Sequence, residues 1–301
     1  MGRLVETLSL VAIAVVAACI ALSAARRILL SLMLSLAVVI VFLLDVVGTT
    51  FLPADLPVRL ELAWSSIPGF YVSPPWTVVT AIFVHAGLVH LMFNLLGFLL
   101  ITPVLEERIG TVRWAAVFFL GALSGQLLFW ILRFGQDFVL LGASGGLLAV
   151  LGAYARLYPR DRVTLFLPLP GTPTVPVVWL AIGYLLLSFV FLAGSSGGGV
   201  AHEAHLGGIA FGFAAAPLIM RLPAGRRRPA LAAIDSTPLE VLATSRELRE
   251  ILEELKAADV PEVRTAWLEK FAANARCPRC GGPVRLRGSS LRSSCGWRVR
   301  L

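Results

Sequence analysis

Four polar side chains interrupt long apolar runs: His90 and Asn94 in Val89-His90-Leu91-Met92-Phe93-Asn94, Ser144 in Gly142-Ala143-Ser144-Gly145, and His205 in His202-Glu203-Ala204-His205. A Ser, a His and two further hydrogen-bond donors are the parts of acyl transfer. The hydroxyl attacks a carbonyl, the imidazole takes its proton, and the donors hold the charge on the oxygen. His90 and Asn94 are four residues apart and share one helix face. His85, five before His90, lies about 140° round a helix and need not point the same way. A single such residue is ordinarily an interhelical hydrogen bond; two on one face point to a cavity. Ser144 stands at the start of its run, where a helix leaves backbone N–H groups unpaired, so its own N–H can join the oxyanion donors. No Asp or Glu is placed to orient His205, and a Ser144–His205 dyad fits better than a triad. His202-Glu203-x-His205 invites a zinc-protease reading that fails on spacing, because the zinc motif needs its two His at i and i+4.

These residues need a scaffold, and composition says which. The chain has 301 residues, 57% hydrophobic and 15% charged, with a mean hydropathy of +0.84. Soluble domains carry about 25% charged residues. A soluble enzyme, a disordered chain and a disulfide-rich module are excluded, and continuous rather than alternating apolar runs argue against a β-barrel. The expectation is an all-α polytopic membrane protein with seven spans, near 5–24, 28–48, 79–104, 112–133, 141–158, 175–193 and 202–221. The first has no clear small-x-small cleavage site, so it is read as an anchor rather than a signal peptide.

Basic residues give the orientation. Arg26, Arg27, Arg108, Arg113, Arg156, Arg160, Arg162, Arg221 and Arg226–Arg228 fall on one side, and Arg3, Arg59 and Arg133 on the other. The positive-inside rule places the first set, and the C-terminus, in the cytoplasm. The net charge of +8 then marks cytoplasmic flanks, and no nucleic-acid partner is expected. The third, fifth and seventh spans run inward, which puts His90, Asn94, Ser144 and His205 at similar depth near the outer face. Gly208 and Gly212 form G-x-x-x-G and bring another backbone close to the His205 helix; the Ser144 helix is the candidate.

The constellation resembles the rhomboid family of intramembrane serine proteases. The matching pieces are His85-x4-His90-x3-Asn94, Glu106-Glu107-Arg108-Ile109-Gly110, Gly142-Ala143-Ser144-Gly145 and Ala204-His205-x2-Gly208-x3-Gly212, in the family's order and spacing. The resemblance covers residues 28–222 as a six-helix rhomboid-like core, with residues 1–27 an extra N-terminal transmembrane helix. It implies Ser144 as nucleophile, His205 as base, and His90, Asn94 and the Ser144 amide as the oxyanion hole. It also implies cleavage of transmembrane or membrane-anchored protein substrates near their outer ends, in the lipid bilayer, with no cofactor for catalysis. Two positions depart from the family. Trp76 is followed by Thr77 where Trp-Arg is frequent, and the position four after Ser144, often Tyr, is Leu148. His205 is therefore expected to pack on an aliphatic side chain.

Other segments carry smaller expectations. The loop 49–78, rich in Pro and bearing Trp64 and Trp76, reads equally as an interfacial segment or a plain connector. The sixth span lacks G-x-x-x-G, and with the glycine-rich loop 194–199 it is expected to form the gate through which a substrate helix passes. Residues 229–271 read as a cytosolic helical segment, with Leu248, Ile251, Leu252 and Leu255 at helical spacing. Residues 272–301 form a basic Cys-containing tail. Cys277-Pro278-Arg279-Cys280 is half a zinc ribbon, and Cys295 stands alone where a pair is expected. Three Cys can hold structural zinc with a fourth ligand from elsewhere; a degenerate site or a solvated basic tail is the alternative. Cys19 is read as packing. A multi-pass protein of a prokaryotic cell membrane is expected. The alternatives to a protease are an inactive relative that binds membrane clients, which predicts loss of the Ser or His, and a small-solute transporter, which predicts paired broken spans.

Overall fold

The computed structural model describes residues 2–51, 58–67, 71–164, 174–193, 200–225, 236–258, 261–287 and 290–301. These fall into two compact units, 1–227 and 228–301. The expected loop at 194–199 lies outside the described residues.

The first unit begins with two long apolar helices, α1 (Gly2–Arg26) and α2 (Leu30–Phe51). A short α3 (Val58–Leu62), strands β1 (Trp64–Ile67) and β2 (Tyr71–Val72) and a turn of helix α4 (Thr77–Thr80) follow. Then come α5 (Leu88–Leu100), α6 (Thr102–Ile109), α7 (Thr111–Leu132), strand β3 (Phe138–Leu140) and α8 (Ser144–Leu157). A β4 (Arg162–Thr164) and β5 (Thr174–Pro176) ribbon leads into α9 (Val177–Ala193) and α10 (His202–Ile219). The fold is all-α and polytopic. Among the described residues, four helical stretches, α1, α2, α5–α6 and α7, are long and apolar enough to cross a membrane. The protein is thus a multi-pass membrane protein.

The third span is displaced from its expected 79–104. A 3₁₀ turn at Ala81–Phe83 ends in extended backbone, and α5 starts only at Leu88. The span then continues through α6 to Ile109. Apolarity alone cannot mark such a break, because Ala81–Val84 are as buried and apolar as a helix would be. The described residues of the segment 49–78 carry structure of their own. Its strand β1 pairs antiparallel with both β2 and β3, Trp64 opposite Leu140 and Ser66 opposite Phe138. Trp64 and Phe138 stack edge to face at 5.4 Å, and Phe138 does the same with Phe129 of α7. The loop thereby holds the chain that delivers Ser144.

Helix α8 is the centre. Every residue from Gly145 to Ala155 is buried, so no face of it meets solvent or lipid, as a helix apolar all round requires. Its principal neighbours are α10 and α7, with α9, α5 and α6 closing round the rest. A Cβ added at Gly208 would overlap the Gly145 carbonyl oxygen, and one at Gly212 would overlap that of Ala149. The G-x-x-x-G of α10 is therefore the seam on which α8 lies, backbone on backbone.

Helix α6 is tied electrostatically to its neighbours. Both Glu106 carboxylate oxygens accept N–H groups at the start of α2, from Leu30 and Ser31 at 2.8 Å each, and one also accepts the Thr111 hydroxyl at 2.8 Å. A negative charge there satisfies orphan donors and meets the positive end of the helix dipole. Arg108 pairs with Asp161 and covers the Tyr158 ring at 4.7 Å.

The second unit contains α11 (Thr237–Leu242), α12 (Arg246–Ala257) and α13 (Pro261–Asn274), followed by an antiparallel sheet of β6 (Val284–Arg287), β7 (Ser290–Ser293) and β8 (Arg298–Arg300) in that order. Ser245 caps α12 by accepting the Leu248 N–H at 3.1 Å. Leu248, Ile251, Leu252 and Leu255 bury together with Leu268, Phe271, Cys277, Val284 and Leu291. The helical segment and the strands flanked by the Cys turns share one core.

Candidate functional site

Ser144 is the first residue of α8. The chain reaches it through Gly142, whose N–H donates to the Ala81 carbonyl at 2.8 Å. Gly142 has φ +115°, a conformation L side chains rarely adopt, and a Cβ there would lie 2.7 Å from Cε1 and Nε2 of His90. Both facts demand glycine. The turn it makes sets the Ser144 hydroxyl at the mouth of the helix, beside the His90 ring.

His205 stands in the first turn of α10 and is buried. Its Nε2 lies 2.7 Å from Ser144 Oγ. The other ring nitrogen, Nδ1, lies 3.0 Å from the hydroxyl of Tyr184 on α9, whose ring sits 5.8 Å from the imidazole. Beside the aliphatic neighbour expected from Leu148, the ring thus has an aromatic hydroxyl from another helix. Tyr184 in turn shares a hydrogen bond with Ser188, one turn further along α9. Sequence reasoning missed this residue. Its signal was present, a Tyr and a Ser four apart in an otherwise apolar span, the same pattern that singled out His90 and Asn94.

His90 is half-buried on α5. Its Nδ1 accepts the Ala86 N–H at 3.4 Å, which leaves the ring proton on Nε2, the atom that faces Gly142. Asn94 is 3% exposed. One of its N–H bonds goes to the His90 carbonyl at 2.8 Å, and the amide has a second to give. Its Oδ1 has no partner among the described residues.

His85 lies in the extended segment before α5 rather than on the helix, and its ring meets that of His90 edge to face at 5.0 Å. The helix-wheel angle between the two did not apply because the helix had not begun. His202 stacks on Phe191 at 5.2 Å and meets His205 edge to face at 5.8 Å. Glu203 is occupied by Arg133, whose Nε and a terminal nitrogen reach it at 2.8 and 2.7 Å. A carboxylate held this way is neither a metal ligand nor an orienter of His205.

The second unit holds a separate cluster. The Sγ atoms of Cys277, Cys280 and Cys295 lie within 4.8 Å of one another. Hydrogen bonds from the Gly282 N–H and the Ser293 hydroxyl favour the Cys280 thiolate and bring its pKa down to about 7.

The comparisons agree with this geometry. Residues 73–222 match the Rhomboid domain family. The chain is 26% identical over 180 residues to YdcA of Bacillus subtilis, whose name marks it as a candidate rhomboid protease, across 58% of this chain and 85% of that one. It is 39% identical over 87 residues to Rhomboid-like protease 3 of Toxoplasma gondii, across 27% and 33% of the two chains. It is 28% identical over 151 residues to the mitochondrial Rhomboid protein 1 of Saccharomyces cerevisiae, across 47% and 41%. The chain thus spans less than half the length of the last two relatives. With a Rhomboid domain over the residues that build the Ser144–His205 site, the chain belongs to the rhomboid family of intramembrane proteases.

Proposed function

We propose that the chain is a serine endopeptidase that cuts transmembrane or membrane-anchored protein substrates, with no cofactor in the reaction. The observation that carries the reading is the 2.7 Å hydrogen bond between Ser144 Oγ and His205 Nε2. An inactive client-binding relative would have no need of this pair, and both members are present and bonded.

The reaction follows from the atoms. Nε2 of His205 accepts the Ser144 proton as Oγ attacks the scissile carbonyl carbon. The imidazolium that forms keeps a proton on Nδ1 and donates it to the Tyr184 hydroxyl oxygen. The carbonyl oxygen becomes an oxyanion and accepts from the Ser144 N–H at the helix start, from His90 Nε2–H and from the free N–H of Asn94. His205 then hands its proton to the leaving amine, and water attacks the acyl-enzyme with His205 again as base. Tyr184 is a positioning residue here: it selects the tautomer that leaves Nε2 open to accept.

Water must reach Ser144, and irregular backbone inside a membrane is tolerated only where it is buried in protein or lines a wet cavity. The short β3–Gly142 approach to α8 is such a segment. With the Arg-rich ends cytoplasmic, the Ser144 end faces outward and takes its water from that side. The C-terminus is then cytoplasmic, in the cell membrane of a prokaryote.

The test is labelling of the purified protein with a fluorophosphonate probe, paired with cleavage of a transmembrane substrate in liposomes. Labelling lost in Ser144→Ala, together with wild-type cleavage, supports the reading. A wild-type protein that is folded yet neither labelled nor active would sink it.

A further inference from the structure

We propose that Cys277, Cys280 and Cys295 form a structural zinc site in the C-terminal unit, with its fourth corner taken by oxygen at Ser293. The inference is independent of the protease reading.

Two turns build the cluster. In the first, Cys277 N–H donates to the Gly282 carbonyl at 2.9 Å, and Gly281 N–H donates back to the Cys277 carbonyl at 2.8 Å. In the second, Ser293 N–H donates to the Trp297 carbonyl at 3.0 Å, and Gly296 N–H donates back to the Ser293 carbonyl at 3.1 Å. Each turn closes on a glycine with positive φ, +69° at Gly281 and +84° at Gly296. The turns share this pair of bonds, the second being one residue shorter, and they bring their sulfurs within 4.8 Å of one another. Ser293 opens the second as Cys277 opens the first, so it stands where a fourth Cys would stand. Its Oγ lies 3.6 Å from Cys280 Sγ.

The spacing suits a metal. Cys277 and Cys295 Sγ atoms are 3.6 Å apart, far beyond the roughly 2.05 Å of a disulfide. Zinc–sulfur bonds of about 2.3 Å in a tetrahedron place their sulfurs about 3.8 Å apart. Backbone N–H groups of Gly282 and Trp297 point at the sulfurs of Cys280 and Cys295, as the outer donors of a thiolate site do. Three soft sulfurs without a carboxylate among them select zinc over magnesium or calcium. The setting also calls for a staple. Three strands of three or four residues close over a small core, and units of this size commonly rely on a metal.

The second corner of each turn is a Cys, and the first corner differs: sulfur at Cys277, oxygen at Ser293. A hydroxyl is a weak zinc ligand, so Ser293 holds the fourth position directly or through a water bound to it. Either way the position exchanges more readily than in a four-thiolate site.

The test uses the full-length protein in detergent, without a polyhistidine tag, reduced, stripped with chelator and reloaded with zinc. Elemental analysis should find one zinc per chain. Cys277→Ser and Cys280→Ser should lose it, and Cys19→Ser should keep it. Cobalt loaded in place of zinc should show thiolate charge-transfer absorption and tetrahedral bands. Ser293→Cys should strengthen that absorption by about a third, as three thiolates become four, and this gain cannot come from misfolding. Zinc at the level of the Cys277→Ser control, or a Cys277–Cys295 disulfide surviving the reductant, would overturn the site. An unchanged cobalt spectrum in Ser293→Cys would overturn the fourth corner.

Discussion

Tyr184 and Ser144 hold the His205 ring from opposite nitrogens, at 3.0 Å from Nδ1 and 2.7 Å from Nε2. The arrangement gives the Ser–His pair a third member that is neutral and comes from a different helix. A hydrogen bond to a charged group contributes about 1.5–3 kcal/mol, and it matters most when His205 is protonated. Tyr184→Phe should therefore lower kcat roughly 10–100-fold and leave KM near its starting value. A rise in KM at constant kcat would make Tyr184 a substrate contact instead.

Ser144→Ala and His205→Ala should each abolish cleavage of a transmembrane substrate while the protein stays folded. Thermal unfolding in detergent checks the fold, and product formation checks the chemistry. Near-normal cleavage by either variant would remove the dyad.

His90→Ala and Asn94→Ala should lower turnover by about 10²–10³ each, with little change in KM. For Asn94 the expectation leans on its second N–H, since the first is given to the His90 carbonyl. Unchanged kcat with raised KM would make these residues positioning groups for the substrate.

The α8–α10 seam gives a mechanical prediction. Gly208→Ala would push a methyl group into the Gly145 carbonyl, one residue from Ser144 and three from His205. Over-packing of this kind costs about 1–3 kcal/mol. Melting should fall, and probe labelling should fall further than melting explains, because the two reacting groups sit on the two helices forced apart. Full labelling of a destabilised protein would show that the seam only stabilises.

Access of a substrate helix should run past α9. Cysteines introduced near Phe189 and on α5, once oxidised, should block cleavage of a transmembrane substrate and release it on reduction. Small soluble esters should be hydrolysed nearly as before. Cleavage at full rate in the cross-linked protein would place the path elsewhere.

Ser144 and His205 were legible because small residues mark where helices touch, and Gly208 and Gly212 pointed at the Ser144 helix. Tyr184 was not, because an aromatic in an apolar span reads as packing until a partner is found for its hydroxyl. The start of α5 escaped for another reason: hydropathy reports burial, and the extended segment at Val84–Gly87 is largely as buried as the helix it precedes. The strands of the 49–78 loop were too short to show alternation, two to four residues each. In the tail the three Cys were plain, whereas the shared core required seeing Leu252 and Leu291 in one cluster.

The brevity of α8 has a consequence for where such a protein can cut. Its 14 residues rise about 21 Å, against roughly 30 Å of hydrocarbon. If its Arg156 end reaches one membrane surface, Ser144 stands some 9 Å beneath the other, about six residues of helix. The molecule then measures depth as a gauge does. Peptide bonds in the first two turns of a client's span come level with the nucleophile, whatever their side chains. Lengthening that span at its outer end should slide the cut along the client's sequence while its distance from the membrane surface stays fixed.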